Sequence, residues 1–138
     1  MQKQALITGA TSGIGRAAAL RLAKEGYAVT ATGRRADRLA ALRAEIEAAG
    51  GRCTTLAFDV RSEEEVRRWL EPIERVDLLV NNAGLAAGLE HINRGDTRDW
   101  DAMIDTNVKG LLYVTRVVTP KMLSLIHISE PTRRVVIS

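Results

Sequence analysis

Short apolar runs alternate along the chain with longer segments in which apolar residues recur every three or four positions. The apolar runs are residues 5–7, 27–32, 53–58 and 78–80, and runs of this kind are typical of buried parallel strands. The intervening segments have the spacing of amphipathic helices. Strands that alternate with helices predict an α/β fold with a doubly wound parallel sheet of the Rossmann type, truncated after about four strands.

The helices expected between and after these strands have one apolar face each. The side chains expected on these faces are Ile14, Ala18 and Leu22; Leu39, Leu42 and Ile46; Val66, Trp69, Leu70 and Ile73; and Trp100, Met103, Ile104, Val108, Leu111 and Leu112. Gly50 and Gly51 favour an end to the second helix. Ser62 and Glu65 are typical of a capping box at the start of the third. The last helix is long and is expected to begin near residues 96–97.

A glycine-rich turn joins the first predicted strand to the first predicted helix. Glycine allows a tight turn and a close approach to a ligand, and the N–H groups at a helix N-terminus favour a pyrophosphate. We therefore predict that this turn binds a dinucleotide, and a plain strand–helix turn without a ligand is the alternative. The residues predicted to bind the cofactor here are Gly9, Thr11, Ser12, Gly13, Ile14 and Gly15.

In a dinucleotide-binding fold, residues at the end of the second strand bind the adenosine ribose. A carboxylate at this position accepts a hydrogen bond from the 2′-hydroxyl and indicates NAD. This chain instead has Gly33-Arg34-Arg35, and the next acid is Asp37. Because guanidinium groups suit a 2′-phosphate, NADP is the predicted cofactor and NAD is the less favoured one. A solvated arginine pair on an ordinary loop remains the alternative.

Polar residues also follow the third and fourth predicted strands, at the sheet edge where open α/β folds bind ligands. Asp59-Val60 closes the third strand, and the carboxylate there is suited to accept a hydrogen bond from the amino group of adenine, or to support the next helix N-terminus. The fourth strand is followed by a cofactor-binding segment of which Asn81, Ala83 and Gly84 are the predicted contacts. A plain turn is the alternative interpretation of that segment.

Asn107 is the polar residue of the long predicted helix that its spacing places on the apolar stripe. A buried amide without partners costs about 1–3 kcal/mol, so this side chain is expected to hold a catalytic water or neighbouring backbone. A satisfied core asparagine is the alternative. Lys109 and Tyr113 do not have the Tyr-x-x-x-Lys order and are not predicted to be catalytic.

Composition narrows the functional class. The chain has 138 residues, a formal net charge of +3 and one cysteine, which allows one modest domain and excludes an intramolecular disulfide or a cysteine-cluster metal site. No apolar run is long enough to cross a bilayer. For that reason we expect no membrane partner. Basic and acidic residues alternate, so we expect no nucleic-acid partner. A cytoplasmic protein without a metal is the expectation.

Several motifs occur in an order that resembles the short-chain dehydrogenase/reductase family. They lie within residues 4–122 and are Thr8-Gly9-x-x-x-Gly13-Ile14-Gly15, Asp59-Val60, Asn81-Asn82-Ala83-Gly84 and Asn107 within Asp105-Thr106-Asn107-Val108-Lys109-Gly110. Gly33-Arg34-Arg35 and the segment 76–86 also resemble the branch that oxidises serine and other 3-hydroxy acids with NADP.

The resemblance implies hydride transfer between NADP(H) and an alcohol or carbonyl substrate. Family members use an Asn-Ser-Tyr-Lys tetrad, and Asn107 corresponds to its asparagine. The tyrosines of this chain, Tyr27 and Tyr113, both come too early for the Tyr-x-x-x-Lys pair. The resemblance further implies that the full-length protein is a homo-oligomer, either a dimer or a tetramer.

The sequence departs from the family pattern after Met122. Residues 123–133 resemble a translated sequencing-library adapter, and Ile137-Ser138 resembles its continuation beyond a sample index. We therefore predict an incomplete dinucleotide-binding Rossmann domain over residues 1–122 and a non-native tail over residues 123–138, in a fragment that is inactive and marginally stable. In the alternative interpretations, residues 134–138 are a genuine fifth strand, or the chain is a stand-alone dinucleotide-binding module without catalysis.

Overall fold

The computed structural model describes residues 2–88, 90–123 and 134–137. Within these residues, the strands form one parallel sheet in the order β3-β2-β1-β4-β5. The strands are β1 (Gln4–Ile7), β2 (Ala28–Gly33), β3 (Arg52–Ala57), β4 (Leu78–Asn81) and β5 (Arg134–Ile137). The predicted α/β fold with a doubly wound parallel sheet is confirmed.

Helices cover both faces of the sheet. They are α1 (Gly13–Lys24), α2 (Ala36–Ala48), α3 (Glu63–Leu70), α4 (Thr97–Ile104) and α5 (Leu111–Leu123), with a π-helical segment (Asp105–Gly110) between the last two. Ser62 caps α3 as predicted, because its hydroxyl accepts a hydrogen bond from the Glu65 backbone N–H at 3.3 Å. The Glu65 carboxylate bonds the Asp59 backbone N–H at 3.0 Å, so this acid fastens the end of β3 to α3.

Two apolar clusters fill the space between the helices and the sheet. Alternate residues of a strand point to opposite faces, so Ala5 and Ile7 join one cluster while Leu6 joins the other. The first cluster packs the sheet against α1 and α2 and contains Leu39, Leu42, Ile46 and Cys53. The second packs it against α3 and α5 and contains Val66, Leu70, Val114 and Val118. Burial raises the pKa of the Cys53 thiol to about 11.

The buried face of α1 differs from the predicted one. Gly15 and Ala19 are buried and Leu22 is half-buried, whereas Ile14, which was expected in the core, is 71% exposed. The helix begins at Gly13, so Ile14 lies in its first turn beyond the apolar interface. Small residues at the buried positions let the helix lie close to the sheet.

The face expected for α3 is correct for Val66 and Leu70, which are fully buried. Trp69 was expected beside them but is 39% exposed. Ile73 follows the helix, which ends at Leu70, and still packs against the second cluster as a partly buried residue. Pro72 has no backbone N–H and so favours an end at this point.

The long helix also buries a different stripe from the predicted one. Gly110, Val114, Val118 and Met122 are buried at four-residue intervals, while Ile104, Val108 and Leu112 are 51%, 52% and 57% exposed. A π-helical turn holds more residues than an α-helical one, so side chains before and after it change their angular position. An additional constraint is the close packing of Gly110, where a Cβ would lie 2.7 Å from the Val60 side chain.

Residues 134–137 form a fifth strand, one more than the roughly four strands expected of the truncated sheet. They pair in parallel with β4, which places Val136 beside Val80 and Ile137 beside Asn81. This pairing covers the edge of β4 that would otherwise be open to other chains. The rest of the predicted tail, residues 124–133 and Ser138, lies outside the described residues. In the described part of the chain, no helix combines the length and apolar character needed to span a membrane.

Candidate functional site

The loops that follow β1, β2, β3 and β4 meet at the carboxyl edge of the sheet and surround a cavity of about 260 Å³. This is the edge at which open parallel sheets bind ligands. The cavity is lined by Gly9, Thr11, Ser12, Thr32, Gly33, Arg34, Arg35, Arg38, Phe58, Asp59, Val60, Asn82, Ala83, Gly84, Leu85 and Thr106. The structure therefore brings together predicted residues from all the polar segments that were expected to follow strands.

Hydrogen bonds fasten the glycine-rich turn to the loop after β4. The Thr8 hydroxyl accepts from the backbone N–H groups of Asn82 and Ala83, each at 3.0 Å. The Asn82 side-chain amide donates to the Gly9 carbonyl at 3.1 Å. Gly9 has a φ of +64°, and a Cβ there would lie 2.8 Å from Ala83 backbone atoms. The turn can therefore lie this close to the neighbouring loop only with glycine.

One wall of the cavity carries positive charge. Arg34, Arg35 and Arg38 line it, and within the described part of the chain none of the three forms an ion pair with a carboxylate. Ser12, which precedes α1, also lines the cavity, and the first turn of α1 has no acidic residue. A helix N-terminus and uncompensated guanidinium groups both favour an anionic ligand.

The carboxylate of Asp59 also lines the cavity and is held by Arg61. The guanidinium donates from Nη2 to Oδ2 at 2.7 Å and from Nε to Oδ1 at 3.1 Å. Partial burial acts to raise the pKa of Asp59, but the hydrogen bonds from Arg61 and the charges of Arg61 and Arg34 lower it below its ordinary value. Asp59 is therefore an ionised acceptor at neutral pH.

Five residues of the predicted site do not line this cavity. Gly13, Ile14 and Gly15 belong to α1 behind the turn, and Gly15 packs against Gly9. The Asn81 side chain points the other way, because it is the last residue of β4 and donates to the Thr115 hydroxyl at 3.0 Å. Asn82, one position later, is the asparagine that reaches the cavity.

Asn107, the fifth of these residues, is exposed rather than buried, which corrects the expectation from its helical spacing. Its amide makes two hydrogen bonds to the Leu85 backbone, accepting from the N–H and donating to the carbonyl, each at 2.8 Å. It lies in the π-helical segment, whose altered winding turns it away from the sheet and toward the loop after β4. Of the predicted roles, fixing neighbouring backbone is the one that these contacts perform.

Other residues at the cavity were missed by the sequence analysis. Arg38 follows the predicted arginine pair by one helical turn, and Thr106 precedes Asn107. Thr32 is fully buried beneath the cavity, and its hydroxyl has no hydrogen-bond partner among the described residues. The orphaned hydroxyl, the glycine turn and the free arginines together fit a dinucleotide with an extra phosphate. Within the described residues, no cluster of His, Cys, Asp or Glu could hold a metal ion.

A comparison of the sequence with models of protein families identifies the family of this chain. The family model described as short chain dehydrogenase matches residues 3–131. The chain belongs to the short chain dehydrogenase family. The resemblance inferred from the glycine turn and the two loop motifs is therefore confirmed.

Relatives within the short chain dehydrogenase family carry more specific names. A probable NADP-dependent dehydrogenase of Haemophilus influenzae is 48% identical over 124 residues, which cover 87% of this chain and 48% of that protein. A serine 3-dehydrogenase of Rhizobium radiobacter is 46% identical over 122 residues, covering 86% of this chain and 48% of the relative. This short chain dehydrogenase therefore spans about half the length of the curated relatives it matches.

Among solved structures, the closed form of a serine dehydrogenase complexed with NADP⁺ superimposes on this short chain dehydrogenase with a TM-score of 0.81. The two sequences are 41% identical, and the match covers 88% of this chain and 49% of the other. At this identity the likeness extends beyond the bare topology of the sheet.

Replacing Thr8 with valine tests the fastening of the two loops. Valine has a similar shape but cannot accept from the two backbone N–H groups that Thr8 now satisfies. We expect the free energy of unfolding to fall by about 2 kcal/mol, the scale of unsatisfied buried donors, as measured by urea denaturation. Thr30→Val, a half-buried position on β2, is the control and should change stability much less. Equal effects of the two substitutions would contradict the role of the Thr8 hydroxyl.

Proposed function

We propose that the chain is the coenzyme-binding half of an NADP-dependent short chain dehydrogenase. The observation that carries this proposal is the position of Arg34 and Arg35 on the cavity wall at the end of β2, where an NAD site needs a carboxylate. The relatives from Haemophilus influenzae and the serine dehydrogenase complex support NADP, because their names state it.

The site residues are assigned by their place around the cavity. The turn from Gly9 to Ser12, with the N-terminus of α1, holds the pyrophosphate, and Arg34 and Arg35 hold the 2′-phosphate. Asp59 accepts from the adenine amino group, and Val60 and Ala83 line the space beside it. Four of the remaining predicted contacts act from behind this surface: Gly13, Ile14 and Gly15 shape the turn, and Asn81 anchors β4. Gly84 lines the cavity itself, beside Asn107.

The reaction of the complete protein is hydride transfer between NADP(H) and a small alcohol or carbonyl compound. A 3-hydroxy acid is the preferred substrate class, because relatives are named serine 3-dehydrogenase and NADP-dependent 3-hydroxy acid dehydrogenase. Asn107 fills the asparagine role of the catalytic tetrad. Neither Tyr27 nor Tyr113 is followed four positions later by lysine, so we expect no turnover from these 138 residues. That same feature favours a second candidate, a binding module without catalysis.

We also propose that residues 123–138 are a non-native tail on a domain formed by residues 1–122. The test is to sequence the gene from intact source DNA through the codon for Met122. A continuation that encodes Tyr-x-x-x-Lys supports the dehydrogenase, and a frame that reads Leu123 to Ser138 and stops overturns the tail proposal and leaves the binding module.

The activity of the complete protein then separates the candidates. The assay follows the appearance of NADPH when NADP⁺ is supplied with serine or another 3-hydroxy acid, with NAD⁺ as the matched control. Faster turnover with NADP⁺ is the expected result. Equal rates with the two coenzymes, or turnover confined to alcohols without a carboxylate, would contradict the assigned coenzyme or the assigned substrate class.

The full-length protein is proposed to be a cytoplasmic homo-oligomer that has neither nucleic acid nor membrane as partner. The support for association is the exposed stripe of Ile104, Val108 and Leu112 on the long helix. In the complete protein, Val108→Lys should place a charge in the interface and reduce the mass measured by light scattering to that of a smaller assembly. Ile92→Lys is the control, because Ile92 is 80% exposed and stands apart from the stripe. An unchanged mass for Val108→Lys would contradict this interface.

A further inference from the structure

We infer that Arg61 is a positioning residue for coenzyme selection. It holds the Asp59 carboxylate as a fixed acceptor for the amino group of adenine and keeps that carboxylate away from Arg34. The inference rests on the proposed function, because it concerns the same cavity. Arg61 itself does not line the cavity and acts through Asp59.

Hydrogen bonds from the backbone and the guanidinium of Arg61 form a clasp around the Asp59 carboxylate. Arg61 donates from its backbone N–H to Asp59 Oδ1 at 2.9 Å, from Nε to Oδ2 at 3.0 Å, and from Nη2 to Oδ2 at 2.7 Å. The backbone of Asp59 is held as well, because its N–H donates to Glu65 Oε2 at 3.0 Å. Neither the carboxylate nor its backbone is therefore free to turn.

The clasp leaves the carboxylate able to accept from the cavity. A carboxylate offers about four lone-pair positions, and the three Arg61 donors occupy most of them. The Asp59 side chain is still 27% exposed and lines the cavity. Because it is ionised and only accepts, it favours a base with an exocyclic amino group over a base with a carbonyl oxygen at the same place.

The clasp also protects the positive wall of the cavity. Arg34 lies close enough for its charge to lower the pKa of Asp59. An Asp59 carboxylate released from Arg61 would be drawn to Arg34, and the pair would neutralise a cation proposed for the 2′-phosphate. Arg61 therefore supports two features of the coenzyme at once, the amino group of its base and its extra phosphate.

The chain contains a matched copy of this clasp in a different place. Arg98 donates to Asp96 from its backbone N–H at 2.8 Å, from Nε to Oδ1 at 3.1 Å and from Nη2 to Oδ2 at 2.7 Å. Asp96 caps α4 and does not line the coenzyme cavity. Arg98→Lys therefore reports the cost of losing such a clasp without any effect on coenzyme.

The experiment compares Arg61→Lys and Arg98→Lys by calorimetric titration of the 138-residue chain with NADPH and with its reduced hypoxanthine analogue, which has a carbonyl oxygen in place of the amino group. Lysine keeps the charge but cannot form the fork. We expect the unsubstituted chain to bind NADPH about tenfold more tightly than the analogue. Arg61→Lys should weaken NADPH binding about tenfold and bring the two ligands to similar affinity. Arg98→Lys should change neither affinity.

Two results would overturn the inference. In the first, Arg61→Lys binds both NADPH and the analogue as tightly as the unsubstituted chain does. In the second, it weakens the binding of both ligands by the same factor, which would mean that Arg61 does not act through Asp59. An unsubstituted chain that is folded but does not bind NADPH contradicts the proposed function instead, and the NMR titration described next then tests the inference about Arg61.

A measurement without coenzyme tests the clasp independently. The carboxyl carbon of Asp59 can be titrated by NMR in the natural chain and in Arg61→Gln, which removes the charge and the fork. We expect the pKa of Asp59 to rise toward its ordinary value in the variant, and to remain unchanged in Arg98→Gln. An unchanged pKa in Arg61→Gln would show that Arg61 does not hold the carboxylate, and would overturn the inference whatever the chain binds.

Discussion

Replacing Gly15 with alanine is expected to destabilise the fold and abolish coenzyme binding, although alanine is ordinarily the better residue inside a helix by about 1 kcal/mol. A Cβ at position 15 would lie 2.1 Å from the Gly9 carbonyl oxygen and 2.4 Å from the Asn82 amide nitrogen. Because backbone and a bonded side chain both stand in the way, the turn must move off the loop after β4. We expect a net loss of about 2–3 kcal/mol in the free energy of unfolding.

Gly13→Ala is the matched control for this prediction, measured by the same urea denaturation. Gly13 has a φ of +56° and no atom within 4 Å of its added Cβ, so the substitution brings only the strain of the left-handed conformation, about 1 kcal/mol. Calorimetry with NADPH should then detect binding to Gly13→Ala and none to Gly15→Ala. A Gly15→Ala chain as stable as the natural one would contradict the close approach of α1 to the turn.

Removing both arginines at the end of β2 is expected to lower the affinity for NADPH by about 100-fold, while the affinity for NADH changes little. Arg34 and Arg35 line the cavity and are proposed to bind the 2′-phosphate, which NADH lacks. Each charge-assisted hydrogen bond to a phosphate contributes about 1.5–3 kcal/mol, and about 1.4 kcal/mol corresponds to a factor of ten in affinity. The Arg34→Ser, Arg35→Ser double variant is titrated with the two coenzymes by calorimetry.

A second double variant separates the local contact from the loss of charge. The Arg21→Ser, Arg43→Ser double variant also removes two positive charges. Both come from exposed ion pairs on α1 and α2, away from the cavity. Long-range attraction between exposed charges is screened at physiological salt within about 8 Å, so this variant should retain nearly full NADPH affinity. Equal losses in the two double variants, or equal losses for NADPH and NADH, would contradict the assignment of the 2′-phosphate site.

The grouping of site residues at the carboxyl edge of the sheet could be predicted from sequence because it depends only on the topology of the sheet. Parallel strands joined by helices bring all their carboxyl ends to one side, so residues after each apolar run meet whatever the details of packing. Thr11, Arg34, Asp59 and Ala83 are therefore found together at one cavity. The same logic could not choose between Asn81 and Asn82, because a shift of one residue in a strand reverses the direction of a side chain.

The buried faces of the helices were less predictable, because the helices carry more apolar residues than the sheet can cover. Ile14 continues the apolar spacing of α1 but precedes the contact with the sheet. The π-helical turn before α5 changes which of Val108 and Val114 faces inward, and only Val114 is buried. The π-helical turn ends at Gly110, which packs closely against Val60, and the sequence by itself does not indicate this contact.

Contacts that depend on local backbone geometry also required the structure. The sequence pattern does not single out Arg61, yet its backbone and side chain both donate hydrogen bonds to Asp59. The spacing of acid and arginine two residues apart recurs at Asp96 and Arg98, so it is a usable sequence signal for a clasp. Only the position of β3 decides that one copy lies beside the cavity.

The most direct test of the NADP assignment is the binding of NADPH and NADH to the folded 138-residue chain, measured by isothermal titration calorimetry under identical salt and pH. The arginines at the end of β2 and the carboxylate of Asp59 predict one site per chain with a preference for NADPH of about 100-fold. Equal affinity for the two coenzymes, or the absence of NADPH binding by a chain that circular dichroism shows to be folded, would contradict it.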